Sequence, residues 1–131
     1  LKEVIYEICE SIQLSRDDAG RTPVIVGSNV LFQQQGEHIP PHNYEFSTLV
    51  FTFVANCGAN PPTTYFPDPR GGVQAIRKMA SQNLVSTSFG INSRLGEIYV
   101  SPGYAQRYME TNLESETHVL VNVRVNFLMI T

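Results

Sequence analysis

The chain has 131 residues, a formal net charge of −3 and an apolar content of 42%. That length fits one domain, residues 1–131, around one core, and that apolar content belongs to a globular chain rather than a disordered one. The acidic balance argues against a protein whose main task is gripping nucleic-acid phosphates, since such domains are usually basic, and no apolar run nears the roughly 20 residues of a membrane-spanning helix.

Residues 1–14 read as an amphipathic helix. Leu1, Ile5, Ile8, Cys9 and Ile12 fall on one face at helical spacing, while Lys2, Glu3, Glu7 and Glu10 point elsewhere. Residues 15–20 carry turn chemistry, ending at Gly20. Val24–Val26 and Val30–Phe32 read as a strand pair or one interrupted strand, with Gly27-Ser28-Asn29 as the turn or bulge between them. Gln33 to Gln35 then lead outward into solvent, and residues 36–43 are expected to loop, because Pro40 and Pro41 cannot feed a central ladder.

Residues 44–55 form a strong strand pattern. Both faces are apolar from 49 to 54, which predicts a central strand with Phe51 and Phe53 as core anchors. Residues 56–69 hold four of the eight prolines and read as a loop. A second helix is predicted over 68–84: Asp68 suits the N-cap, Pro69 the first helical position, and Val73, Ile76, Met79, Ala80 and Leu84 make its apolar face. Residues 84–91 and 95–100 are short strand candidates, and 104–117 reads as a polar loop.

The strongest signal is the last stretch, residues 118–130. Val119, Val121, Val123, Val125, Phe127 and Met129 are all apolar; the alternate set is polar in the middle, at Asn122, Arg124 and Asn126. Period-2 alternation over this length predicts one long strand with a buried face and a mixed face. Helix, strands, helix and strands in that order predict an α+β fold: a mostly antiparallel twisted sheet with a long C-terminal strand, packed by an N-terminal helix and one central helix.

No catalytic signature stands out. There is no Gly-x-Ser-x-Gly, and neither cysteine has an activating context. Cys9 and Cys57 read as two buried reduced thiols, which points to a reducing, intracellular place of synthesis; no signal-peptide pattern is visible. A triad assembled only in space would leave no sequence mark. His38 and His42, with Glu37 beside them, come nearest to a metal site, but three residues of one loop do not close one, and His118 is far off in sequence. Arg70, Gly71 and Gly72 at a helix start offer the ingredients of an anion site without matching a phosphate-binding motif. No cofactor is called for. Arg124, with Asn122 and Asn126 on the same face, is read as wet, on a solvent or lumen surface.

The order and length of four segments, Leu1–Leu14, Tyr44–Ala55, Asp68–Leu84 and His118–Thr131, resemble the tail-terminator and tail-completion (neck) proteins of tailed bacteriophages. The resemblance implies a structural virion subunit and no enzyme. It would form a homo-oligomeric ring at the tail end or head–tail neck, touching tail-tube or connector proteins, with DNA sliding through its lumen unbound. It would be assembled in the host cytoplasm, with no part in a membrane. On that reading Glu110, Glu114 and Glu116 join Asn122, Arg124 and Asn126 as interface or lumen residues. The rival readings are a viral capsid or decoration protein built as a sandwich, and a small soluble module that binds a ligand or protein through its Pro-rich loops. An enzyme would need a pocket holding His38, His42 or His118 beside a carboxylate.

Overall fold

The computed structural model describes residues 2–11, 21–67 and 88–129. Lys2–Ser11 form helix α1. The strands follow as β1 (Arg21–Gln33), β2 (Ile39–His42), β3 (Leu49–Asn56), β4 (Thr63–Pro67), β5 (Ser88–Asn92), β6 (Ile98–Pro102), β7 (Arg107–Met109) and β8 (His118–Met129). They make two four-stranded sheets, ordered β1-β8-β3-β6 and β2-β7-β4-β5. Every pairing is antiparallel. The chain crosses from one sheet to the other at each step except β4 to β5, which places sequence neighbours in opposite layers. Eight strands in that order are a jelly roll, the double Greek-key sandwich.

The alternation in β8 decides which residue meets which layer. Side chains leave a strand on alternate faces. Val123 and Val125, with Phe51 of β3, pack outward against Ile5 and Cys9 of α1. Burying Ile5 completely there stabilises by about 2–3 kcal/mol. The other face of β8 looks into the sandwich. Leu120 joins Val54 and Met109, with Leu31 and Ile39 alongside, at one end of the interior. Asn122, one step along, is 2% exposed and lies in the middle. Of the three residues expected to be wet, Asn122 is therefore inside the sandwich, while Arg124 and Asn126 are half-buried.

Several expectations are corrected. The fold is not α+β with a single sheet: most of the described chain is strand, in two facing layers, and the only described helix is α1. The helix predicted over 68–84 lies outside the described residues. The resemblance to phage tail-terminator proteins rested on the order and length of four segments, and the mostly-β, two-sheet architecture overturns it. The virion, neck and head–tail-joining assignments fall with it. Residues 39–42 are a strand despite Pro40 and Pro41, because β2 is an edge strand and needs few N–H donors. Residues 63–67 and 107–109, both read as loop, are β4 and β7, too short to show a period. Conversely, the strand expected from residue 44 starts only at Leu49. Tyr44 to Thr48 form a tight turn, with Ser47 N donating to Tyr44 O at 2.9 Å, and Phe46 is 90% exposed.

Candidate functional site

The site is built where β1 ends and β8 begins. Gln33 and His118 are direct cross-strand partners on the interior face. Gln33 is 0% and His118 1% exposed, so both depend on internal partners. Gln33 Nε2 donates to two main-chain carbonyls, Glu37 O at 2.8 Å and Glu110 O at 2.7 Å. Carbonyls only accept, which fixes the amide with Oε1 toward His118. His118 Nδ1 lies 3.0 Å from that Oε1 and must donate to it. In the neutral imidazole, Nε2 is then an acceptor, and Ser93 Oγ donates to it at 2.7 Å. Burial pushes the His118 pKa down from its ordinary 6.5, which favours this neutral form.

Ser93 is held by its turn. It follows β5 directly and precedes the Arg94–Glu97 turn, in which Glu97 N donates to Arg94 O at 3.1 Å. That turn is tied to β3 through Gly96 N to Val54 O and Val54 N to Glu97 O, both 3.0 Å. Asn112 ties the opposite wall, donating to Gln33 O at 2.9 Å and Glu116 O at 3.0 Å and accepting from Glu114 N at 3.0 Å. Glu114 then accepts from Asn60 N at 2.7 Å, linking the Pro-rich segment to that wall. Between these loops is a cleft of about 650 Å³, lined by Cys57, Pro61, Ser93, Leu95, Glu114 and Glu116 among others. Ser93 is thus the point at which a buried relay reaches a concave surface.

Further in, the interior is polar in a different way. Arg107 of β7 is 1% exposed and points across the sandwich. It donates to Thr52 Oγ1 of β3 at 3.0 Å and to Ser101 Oγ of β6. Thr52 passes the chain on, donating to Asn122 Oδ1 at 2.7 Å. The guanidinium carbon is 5.0 Å from the Phe66 ring centroid and 5.4 Å from that of Tyr44, within cation–π range. Among the described residues its Nε has no hydrogen-bond partner, and burial lowers its pKa. Nearby Tyr99 is shifted up by burial. Among the described residues no carboxylate forms an ion pair with Arg107, so its charge is held by hydroxyls and ring faces.

The residues singled out in the sequence are scattered. His38 is exposed; His42 ends β2, with Nδ1 3.1 Å from Pro40 O. Among the described residues no group of three or more His, Cys, Asp or Glu is placed to hold a metal ion. Asn122 is in the interior network. Asn126 accepts from Thr48 N at 2.8 Å and donates to Phe46 O at 3.1 Å, bracing the turn. Arg124 lies across β1 at its bulge: a Cβ on Gly27 would collide with the guanidinium, so glycine there makes room for it. Glu110 accepts from the Tyr65 hydroxyl at 3.0 Å, which is the main reason the Tyr65 pKa is raised. Glu114 and Glu116 line the cleft. Both cysteines are free; Cys9 is buried on the inner face of α1 and Cys57 lines the cleft.

Ser93, Gln33, Asn112 and Arg107 were missed. Gln33 was read as the start of a solvated run, and it is wholly buried. His118 was noted, but its partners come from 25 and 85 residues away, and nothing local marks them.

No protein-family model matches the chain, and no curated protein matches it in sequence. The structure is similar to the crystal structure of a cupin domain from Bordetella pertussis Tohama I, at 12% identity and a TM-score of 0.49, covering 84% of this chain and 97% of that one. A likeness of that size decides nothing about chemistry, and folds of this kind host many functions. Function is therefore read from the residues of this chain.

Proposed function

We propose that the protein is a small-molecule-binding module whose ligand occupies the cleft between the Pro-rich segment at 57–61, the turn at 93–95 and the wall at 114–116. The observation that carries this is the coincidence of an open, shallow cleft of about 650 Å³ with a hydroxyl fixed by a buried histidine at its lining. The walls combine the carboxylates of Glu114 and Glu116 and the hydroxyls of Ser93 and Ser115 with the apolar surfaces of Leu95 and Pro61. That mixture suits a small polar compound bearing hydroxyl or amine groups on a compact apolar body. The walls are tied to β1, β3 and each other by the hydrogen bonds described above, so the site is largely preformed.

The test is a ligand-observed NMR screen of small polyols, amines and their esters against the intact chain. Hits should shift the amide signals of Gly58, Ser93 and Glu114 together, and Ala59→Trp, which fills the cleft from an exposed lining position, should abolish the shifts. Hits that bind Ala59→Trp equally well would remove the cleft from consideration.

A further inference from the structure

We propose that Ser93 is a nucleophile for acyl transfer on small esters in this cleft, with His118 as its general base and Gln33 as the positioning residue for His118. The proposal rests on the reading of the cleft as a small-molecule site and adds a reaction to it.

The geometry points one way along the whole relay. Two carbonyls orient the Gln33 amide, the amide fixes the Nδ1 proton, and that leaves the Nε2 lone pair aimed at the Ser93 hydroxyl 2.7 Å away. This is the order of parts by which a serine is activated: nucleophile, base, and a third group that orients the base. Here the third group is neutral. A glutamine fixes tautomer and ring orientation but does not stabilise the imidazolium as a carboxylate would, so the relay is expected to be slow. Ser93, 6% exposed, is the one member of the relay at the cleft lining, and its hydroxyl also satisfies the buried His118 Nε2. Arg94, next in sequence, also lines the cleft, with its side chain 80% exposed and 3.8 Å from Glu97.

The step balances without any partner beyond water. Ser93 Oγ bonds to the ester carbonyl carbon while its proton passes to His118 Nε2. The bond to the alcohol oxygen breaks, and the departing alcohol takes that proton. Water then attacks the acyl-serine, gives a proton to Nε2, and releases the carboxylic acid; Nε2 returns the proton to Ser93 Oγ. No electron is gained or lost.

The decisive measurement is intact-mass spectrometry of the wild-type chain after exposure to diisopropyl fluorophosphate, with peptide mapping of the adduct. A single adduct on Ser93 is expected. Its rate should rise with pH as His118 loses its proton, and should fall about 100-fold or more in His118→Gln, which keeps the serine and removes the base. With p-nitrophenyl acetate, wild type should show a burst of p-nitrophenol close to one equivalent, absent in Ser93→Ala. No adduct on Ser93 of the folded wild type overturns the proposal without any variant being needed. Labelling at the same rate in folded His118→Gln overturns the role of the base. Compounds that bind the cleft while Ser93 stays unlabelled leave the binding reading intact and remove this one; loss of both binding and labelling removes the two together.

Discussion

Gln33 and His118 face each other across the β1–β8 ladder, and the amide oxygen of the first holds the imidazole proton of the second on Nδ1. The pair joins the end of one strand to the start of another, and through Gln33 Nε2 it gathers in the loops carrying Glu37 and Glu110. Replacing Gln33 with Met keeps the volume but leaves the Glu110 carbonyl and the imidazole N–H without a partner, while Glu37 O keeps its bond from Asn112 N at 2.9 Å. Each buried group left unsatisfied costs about 1–3 kcal/mol. Partial access to water at the loops offsets some of this, so a total loss of about 3 kcal/mol is expected in urea unfolding. A loss under 1 kcal/mol would show that the amide does not organise this end of the sandwich.

The buried imidazole gives stability a pH dependence. Its folded pKa lies below the ordinary 6.5 because burial disfavours the charged form. Between the two values the unfolded chain binds the proton and the folded chain does not. The His118 contribution is therefore fully present above pH 6.5 and is lost as pH falls through the folded pKa, with a slope of at most about 1.4 kcal/mol per pH unit. Urea midpoints measured from pH 8 to 5 should decline on the acid side, and His118→Gln should flatten that part of the decline. An equal decline in both proteins would assign it elsewhere.

Arg107 presents the opposite balance. Its charge is desolvated without an ion-pair partner among the described residues, while its stem and ring contacts fill the inter-sheet space. An apolar residue of similar length removes the desolvation cost and keeps the packing. Arg107→Met should therefore stay within about 1 kcal/mol of wild type. Arg107→Ala, which removes the same bonds to Thr52 and Ser101 and also opens a cavity, should lose about 3 kcal/mol. Thermal unfolding of both variants separates the contributions: an equal large loss in both would mean that the guanidinium bonds dominate.

Gly103 and Gly36 test two different reasons for glycine. A Cβ on Gly103 would run into the carbonyl oxygens of Ser47 and Tyr44, main-chain atoms locked by Gly103 N to Thr48 O at 3.1 Å and Tyr44 N to Gly103 O at 2.8 Å. Gly36 has φ +87° and nothing near the position a Cβ would take. Gly36→Ala should cost about 1 kcal/mol through backbone conformation alone. Gly103→Ala should cost clearly more, about 3 kcal/mol or loss of folding, because the collision is with backbone. Circular-dichroism melts of the pair in parallel decide it; equal costs would mean that the turn at 44–48 yields.

The closing strand was legible because twelve residues of alternation leave no other pattern, and α1 because its apolar residues recur at helical spacing. What could not be read was which face of β8 met what. The sequence shows an apolar set and a mixed set, and the natural assignment puts the mixed set in water. In the folded chain α1 covers the apolar set from outside, and Asn122 of the mixed set is buried inward because Thr52, itself held by Arg107, satisfies it there. Those two bonds join residues 70 and 55 positions apart. The second sheet was nearly invisible: β2 carries two prolines and β7 has three residues. The relay at Ser93 was invisible for the same reason, since its members come from β1, β8 and the turn after β5.

The tandem prolines of β2 have a bearing on how the molecule meets others. Sheet margins with free N–H and C=O groups are templates onto which a further strand can zip. On the β2 margin, Pro40 and Pro41 present carbonyls but no N–H, in half of a four-residue strand. An incoming strand would find acceptors without matching donors and could not complete a ladder. This flank of the sandwich is chemically blunt toward growth by strand addition, so a cluster of such molecules would have to form through faces or loops rather than by extending this sheet.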